Sequence, residues 1–263
     1  MTGTWLVTWN DTPAPASVLL ALPQAGAGCG QYRPWQDALG PDVRVVGVQL
    51  PGRENRWAEP EPRDVPAVVD AVCAEFLDLV APDVPFTVFG NSFGGLLGYE
   101  ITRRLVHDHG RRPSAFVVAA CRAPARWAGA GRGLVADDRA LAALLDDRGL
   151  GDDDLDEESR ELALEVLRRD ARLSASYTHT GSPLLPCPVE AWGGRRDTTV
   201  TADQLTEWRD HAGAGFTLRI FPGGHYFCLE QDALVHARLR ELTAPPALRV
   251  PAARRPPDHP DQR

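Results

Sequence analysis

The stretch Pro85–Gly95, PFTVFGNSFGG, constrains the fold of this chain more than any other segment. A short apolar, β-rich run leads into the pattern Gly-x-Ser-x-Gly, and a helical pattern begins directly after it. This spacing is typical of a strand-turn-helix elbow, in which the serine occupies a strained turn and the flanking glycines leave room for it. We therefore predict that Ser92 is a nucleophile and that the N–H of Phe93 lies at a helix N-terminus. A buried serine in an ordinary βα turn is the alternative.

The rest of the chain alternates strand-length apolar runs with amphipathic helical stretches, as at Val65–Val80 and Leu234–Leu242. The predicted strands are Ser17–Leu22, Val43–Val48, Phe86–Phe89, Ala115–Ala120, Val189–Trp192 and Phe216–Phe221. Apolar runs without alternation are typical of strands that are buried on both faces of a parallel sheet. The sequence therefore predicts an α/β domain over residues 1–243, with helices flanking a mostly parallel sheet, followed by a disordered Pro/Arg-rich tail over residues 244–263.

The strand pattern stops between Ala128 and Leu185, where two helical patterns flank the acidic run Asp152–Glu158. An insertion here would lie over the carboxyl ends of the strands, where α/β folds place their sites. We predict a helical lid over about residues 128–185, with a solvated helical hairpin as the alternative. The glycines expected to act as joints are Gly129, Gly131, Gly133, Gly149 and Gly151. The apolar residues expected to line a chamber are Leu141, Leu144, Leu145, Leu162, Val166, Leu167, Leu173 and Tyr177.

Two further polar residues follow predicted strands. Asp197 comes after one strand and His225 after the next, so the chain order is nucleophile, acid, base. This order is the one found in the α/β-hydrolase fold. We predict that His225 takes the proton of Ser92 and that Asp197 fixes the imidazole tautomer. Asp203 and Asp210 are the alternatives for the acid, although both fall in or beside the helix after Asp197.

A glycine-rich loop, Pro23–Gly28, follows the first predicted strand. In an α/β-hydrolase sheet this loop supplies the second amide of the oxyanion hole. We predict that the N–H of Gln24 pairs with that of Phe93, with the N–H of Ala25 as the other choice for the second donor. A flexible turn is the alternative. The loop is not a phosphate-binding loop, because no Gly-Lys-Ser/Thr sequence follows it.

Charge and cysteine spacing exclude several classes of function. The formal net charge is −8, so the chain lacks the basic footprint of a nucleic-acid-binding protein. Five cysteines without metal-ligand spacing favour reduced thiols in a cytoplasmic protein. No apolar segment is long enough to span a membrane, and no basic residue precedes Val18–Leu22 as it would in a signal peptide. We therefore expect a cytoplasmic monomer that binds neither nucleic acid nor membrane.

The elbow, the glycine-rich loop and the segments that carry Asp197 and His225 resemble the type II thioesterases, the stand-alone editing enzymes of modular polyketide and nonribosomal peptide synthesis. The resemblance covers roughly Trp5 to Leu242, and its most specific stretches are Pro-Gly-Arg-Glu and Gly-Gly-His-Tyr-Phe. The matching segments are Leu22–Gly26, Gln49–Glu54, Gly90–Gly95, Leu167–Ala171, Gly193–Asp197 and Pro222–Phe227. One residue departs from the pattern: Asn91 precedes the nucleophile, where members of the family commonly have histidine.

The resemblance implies hydrolysis of short acyl groups held as thioesters on the phosphopantetheine arm of acyl or peptidyl carrier proteins. It implies no cofactor, and it gives the triad and oxyanion roles to the residues named above. We expect Ala25, Arg53 and Tyr226 to contact the substrate or the carrier. Arg53, with Arg56 and Arg122, follows a strand at the site-bearing end, where it would face the acidic surface of a carrier.

Two other classes of function stay open. The first is another activity of the same fold: a chain-releasing thioesterase or cyclase, or a small-molecule esterase. Chain-releasing domains often carry their acid after the strand that ends here at Cys121, where this chain has none. The second is a carrier-binding chaperone without catalysis, which a complete triad disfavours.

Overall fold

The computed structural model describes residues 4–10, 12–127, 137–147, 156–181 and 183–244. Its seven strands are β1 Leu6–Thr8, β2 Ser17–Leu22, β3 Val43–Val48, β4 Phe86–Asn91, β5 Ala115–Ala119, β6 Val189–Gly194 and β7 Phe216–Phe221. They form one sheet in the order β1-β3-β2-β4-β5-β6-β7. Every neighbouring pair is parallel except β1 and β3, which run antiparallel. The predicted α/β fold with a mostly parallel sheet is confirmed.

Helices connect the strands and cover both faces of the sheet. Within the described residues they are α1 Arg33–Leu39, α2 Val65–Leu79, α3 Phe93–His107, α4 Pro124–Trp127, α5 Asp138–Asp147, α6 Glu157–Ala175, α7 Ala202–Thr206, α8 Phe227–Glu230 and α9 Asp232–Thr243. Short 3-10 turns occur at Cys29–Tyr32, Glu54–Arg56 and Glu207–His211. In the part of the chain that the structure describes, no helix has the length and apolar character needed to cross a membrane.

Strand β2 shows how the core is divided between the two faces. Successive side chains of a strand point to opposite faces, and all six residues of β2 are buried. Leu20 packs with residues of α2 and α3 on one face, and Leu19 packs with residues of α1 and α9 on the other. A buried side chain of this size stabilises the fold by about 1.5–3 kcal/mol. The continuous apolar run therefore reflects a strand that is covered on both sides.

Strand β1 is not among the strands predicted from the sequence, the first of which is Ser17–Leu22. The structure pairs Leu6 with Val48 at the edge of the sheet. The N–H groups of Trp5 and Leu6 donate to the Glu75 carboxylate on α2, at 2.7 and 3.1 Å. A three-residue strand is too short to show a period in the sequence, and the contact that fixes it comes from a helix about 70 residues away.

Helices α5 and α6 belong to the predicted lid. They pack together through a small apolar cluster that includes Leu141, Leu145 and Leu164. Asp156, from the acidic run, caps α6: its carboxylate accepts the N–H of Ser159 at 2.8 Å. The proposed joints lie outside the described residues: Gly129, Gly131, Gly133, Gly149 and Gly151. Residues 245–263 of the predicted tail also lie outside them.

All five cysteines are free and buried. Burial raises the pKa of the Cys29, Cys73 and Cys187 thiols to about 12. Burial also raises the pKa values of Cys121 and Cys228. Because the thiolate is the form that attacks disulfide reagents, we expect no thiol to react with Ellman's reagent in the native protein at about pH 8. All five should react after unfolding in guanidinium. A fast native reaction would contradict this burial.

Candidate active site

Ser92 occupies the turn between β4 and α3. Its backbone has φ 50° and ψ −118°, a conformation that a residue with a side chain rarely adopts. The turn is anchored to the neighbouring strand, because the N–H of Ser92 donates to the carbonyl oxygen of Ala119 at 2.8 Å. The strained turn therefore falls at Ser92, the position that the Gly-x-Ser-x-Gly spacing predicted for it.

The two glycines of the elbow are needed because backbone atoms approach them closely. A Cβ at Gly90 would lie 2.2 Å from the carbonyl oxygen of Gly94. A Cβ at Gly94 would lie 2.3 Å from the carbonyl oxygen of Leu22, the last residue of β2, which leads to the Pro23–Gly28 loop. Because these contacts are with backbone rather than with the ends of flexible side chains, any larger residue would displace the elbow.

His225 lies in the loop after β7 and links the other two predicted residues. Its Nε2 atom is 3.2 Å from Ser92 Oγ, and its Nδ1 atom is 2.9 Å from Asp197 Oδ2. The side chain of Asp197 has no exposed surface, and that of His225 is 8% exposed. The structure thus brings the three predicted residues, Ser92, His225 and Asp197, into one chain of hydrogen bonds, with the geometry that general-base activation of a hydroxyl needs.

The Asp197 carboxylate is held from both sides. Its Oδ1 atom accepts the N–H groups of Thr199 and Val200, at 2.7 and 3.0 Å, while Oδ2 faces His225. Burial alone would raise the pKa of Asp197, but the hydrogen bond and charge of His225 and the two backbone N–H groups outweigh it and lower that pKa. The carboxylate therefore stays ionised near neutral pH and fixes the orientation of the imidazole.

The loops that carry Asp197 and His225 contact each other. The N–H of Arg195 donates to the carbonyl oxygen of Phe221 at 2.8 Å, and a Cβ on Gly194 would lie 2.0 Å from the carbonyl oxygen of Gly224. The alternative acids, Asp203 and Asp210, are exposed in α7 and in the turn after it. Position at the end of a strand was therefore the feature that distinguished Asp197.

The predicted oxyanion donors lie beside Ser92. Phe93 and Gln24 are 2% and 3% exposed, and within the described residues neither backbone N–H has a hydrogen-bond acceptor. The side chain of Asn91 donates to Gln24 Oε1 at 3.3 Å, and Gln24 in turn bonds to Gln31. Asn91, which departs from the family pattern, therefore connects the elbow to the loop that carries Gln24.

A cavity of about 330 Å³ opens onto Ser92 and His225. Ala25 and Tyr226 line it, and the Tyr226 ring stands edge-on to His225 with centroids 5.2 Å apart. Of the predicted lid residues, those that line the cavity are Leu141, Leu144 and Leu167. Leu162 does not line this cavity and is 63% exposed.

Trp127 is a cavity residue that the sequence did not indicate. Its ring stacks on Phe93 with centroids 6.2 Å apart, and its Nε1–H donates to Ser174 Oγ at 2.9 Å. It lies on α4, a single helical turn at the edge of the insertion. One tryptophan in a short turn shows no periodicity, so no local signal could have identified it.

The expectation that Arg53 and Arg56 face a carrier was wrong. Arg53 is 6% exposed, and its guanidinium forms two hydrogen bonds with the Asp170 carboxylate on α6, at 2.7 and 2.5 Å. Arg56 is 3% exposed and pairs with Glu59 at 2.7 Å. Position at the end of a strand places Arg53 beneath the insertion rather than at its rim. Arg122 lines the cavity and is partly exposed.

A family model for the thioesterase domain matches residues 17–242. The chain belongs to the thioesterase domain family. It is 34% identical to thioesterase PikA5 of Streptomyces venezuelae over 237 residues, which cover 87% of this chain and 82% of that protein. The solved type II thioesterase BorB from the borrelidin biosynthetic cluster is 31% identical, with a TM-score of 0.81 over 93% of this chain and 99% of that one. The RedJ thioesterase of the prodiginine pathway in Streptomyces coelicolor is 31% identical, with a TM-score of 0.79 over 88% and 92%.

These relatives confirm the resemblance to type II thioesterases and the α/β-hydrolase fold of the chain. They also establish the class of reaction: the protein is a thioester hydrolase.

Proposed function

We propose that this protein hydrolyses short acyl thioesters on the phosphopantetheine arm of acyl or peptidyl carrier proteins and so clears misprimed or stalled synthases. The hydrogen-bond chain from Ser92 through His225 to Asp197 carries the proposal. The relatives BorB and RedJ, which come from the borrelidin cluster and the prodiginine pathway, support a carrier-bound substrate. The reaction needs only water as co-substrate, because the chain's own residues supply base, acid and oxyanion donors.

In the first half of the reaction, Ser92 Oγ attacks the thioester carbonyl carbon. His225 Nε2 accepts the hydroxyl proton, and Asp197 stabilises the imidazolium that forms. The tetrahedral intermediate places its oxyanion at the N–H groups of Phe93 and Gln24, each worth about 2.7–4 kcal/mol in a comparable site. The C–S bond then breaks, and the phosphopantetheine thiol leaves with the proton from His225. Such a thiol leaves readily because its pKa is about 8.5.

In the second half, water hydrolyses the acyl-Ser92 ester. The water oxygen attacks the carbonyl carbon while His225 accepts a proton from that water. The oxyanion again accepts hydrogen bonds from the N–H groups of Phe93 and Gln24. Collapse of this intermediate breaks the ester bond, returns the proton to Ser92 Oγ and releases the carboxylic acid. The same three side chains thus serve both steps.

The cavity points to short acyl groups. Its volume of about 330 Å³ must hold the acyl chain and the end of the arm, and Trp127 and Leu144 form part of its wall. A pocket of this kind discriminates by about 1–3 kcal/mol per methylene group. We therefore expect acetyl and propionyl thioesters to be hydrolysed faster than thioesters of elongated chains.

Trp127→Ala should shift the enzyme toward longer acyl groups, because it removes a wall of the cavity. We expect the ratio of kcat/KM for an octanoyl thioester to that for an acetyl thioester to rise about tenfold. Trp57→Ala is the matched control, since Trp57 is 74% exposed and does not line this cavity. An unchanged ratio in the Trp127 variant would remove that residue from the acyl site.

The proposed function is tested with a carrier protein that bears acetyl, propionyl or elongated acyl groups on its arm, and the released acid is quantified by mass spectrometry. We expect the short groups to be released fastest. Faster release of elongated chains would instead support a chain-releasing enzyme. Hydrolysis of small esters without action on any loaded carrier would support an esterase, and binding without hydrolysis a chaperone.

A further inference from the structure

The oxyanion loop, which we define as Gln24–Gly30, is supported by side chains that take no part in the reaction itself. Arg53 Nη1 donates to the carbonyl oxygen of Ala27 at 3.1 Å. The Oε1 atom of Gln49 accepts the N–H of Cys29 at 2.8 Å. The family-specific stretch around Pro-Gly-Arg-Glu therefore contacts the backbone of the loop that supplies an oxyanion donor.

Further support comes from Asp170 on helix α6, within the insertion. Its Oδ2 atom accepts the N–H of Gly26 at 2.7 Å and also a hydrogen bond from Arg53 Nη1 at 2.7 Å. Its Oδ1 atom accepts from Arg53 Nη2 at 2.5 Å. Asp170 is 2% exposed and lines the cavity beside Ser92. The buried Asp170 carboxylate thus connects helix α6 both to Arg53 and to the backbone of the oxyanion loop.

We propose that Asp170 is a positioning residue for hydrolysis: it places the Gln24 N–H correctly only while α6 is packed on the oxyanion loop. Gly26, which Asp170 holds, lies two residues from Gln24 and has φ 75°, a conformation that the loop must keep. A displacement of about 1 Å at a reacting group costs about 100-fold in rate. The inference rests on the proposed function, because it takes the Gln24 N–H as an oxyanion donor.

A purely structural role is the competing explanation, since removing one partner of a buried ion pair leaves a buried charge and destabilises the fold. The positioning role and the structural role can be distinguished when the charges of Arg53 and Asp170 are removed together. Arg53→Met/Asp170→Asn retains an oxygen that can accept the Gly26 N–H. Arg53→Met/Asp170→Leu has a side chain of similar shape but no acceptor. Both variants lose the ion pair and the contact from Arg53 to Ala27 equally.

The experiment measures kcat, KM and melting temperature of both double variants with a small acetyl thioester of N-acetylcysteamine. We expect similar melting temperatures, a KM within about twofold, and a kcat for the Leu variant at least about tenfold below that of the Asn variant. Equal kcat values, or a difference in KM alone, would overturn the positioning role. If the Leu variant does not fold, Asp170→Ala in the same background replaces it, because alanine also lacks an acceptor.

Glu61→Gln provides the control for a general loosening of α6. Glu61 pairs with Arg172 of α6 at 2.9 Å, and both side chains are about 40% exposed. This variant should keep the wild-type kcat; a loss as large as that of the Leu variant would show that any tether of α6 has the same effect and would overturn the specific role of Asp170.

The rate at which a fluorophosphonate labels Ser92 gives a second readout that needs no thioester. It should fall in the Leu variant relative to the Asn variant, because the phosphonyl oxygen uses the same donors. If the fluorophosphonate labels the wild-type protein but that protein does not cleave the thioester, the proposed function is wrong. The ratio of the labelling rates of the Leu and Asn variants still decides the role of Asp170.

Discussion

Ser92→Ala is expected to lower kcat for thioester hydrolysis by about 10⁴- to 10⁶-fold, because the residual rate would come only from the oxyanion donors and substrate binding. The fold should persist, since the elbow is held by the backbone contact to Ala119 and by the close packing at Gly90 and Gly94 rather than by the hydroxyl. Steady-state kinetics and thermal melting of the purified variant measure both effects.

Ser114→Ala is the matched control for this replacement. Ser114 precedes β5, and its backbone N–H donates to the carbonyl oxygen of Phe86. It lies at the opposite end of the sheet from Ser92, so its loss should leave kcat unchanged. Turnover by Ser92→Ala within about tenfold of the wild type would contradict the nucleophile assignment.

Asp197→Asn should lower kcat by about 10⁴-fold. The amide oxygen would take the place of Oδ1, which accepts the N–H groups of Thr199 and Val200, so the amide nitrogen would face His225. His225 Nδ1 would then have to accept a hydrogen bond, which leaves the proton on Nε2. A protonated Nε2 cannot receive the proton of Ser92.

Asp203→Asn tests the same assignment from the other side. Asp203 is exposed in the first turn of α7, so its replacement should leave kcat near the wild-type value. The comparison uses kinetics with one small thioester for both variants. A large loss in Asp203→Asn with little change in Asp197→Asn would mean that the acid had been assigned to the wrong residue.

The grouping of Ser92, Asp197 and His225 was predictable because each follows a strand of a parallel sheet. The carboxyl ends of such strands meet at one edge, so residues 133 positions apart come within hydrogen-bond distance. The elbow was predictable for a local reason, since its spacing encodes its own backbone geometry. The catalytic roles of these residues remain predictions that the variants above test.

The contacts of Arg53 were not predictable, because they depend on a partner 117 residues away in the insertion. Its position after a strand was read correctly, but exposure is decided by what packs over the strand end. For the same reason, the hydrogen bond from Asn91 to the Gln24 side chain could not be read from the sequence. Local patterns identify elements and their ends, whereas such side-chain partners follow from tertiary packing.

Stoichiometric labelling with a fluorophosphonate tests most directly the claim that Ser92 cleaves carrier-bound thioesters. The fraction of labelled protein is measured by intact mass, the labelled residue by peptide mapping, and the residual hydrolysis of an acetyl-loaded carrier in the same samples. We predict that the label maps to Ser92 and that carrier deacylation falls in proportion to the labelled fraction, reaching the background rate at full labelling. A fully labelled protein that still deacylates the carrier, or a label that maps to another residue while activity is lost, would contradict the mechanism.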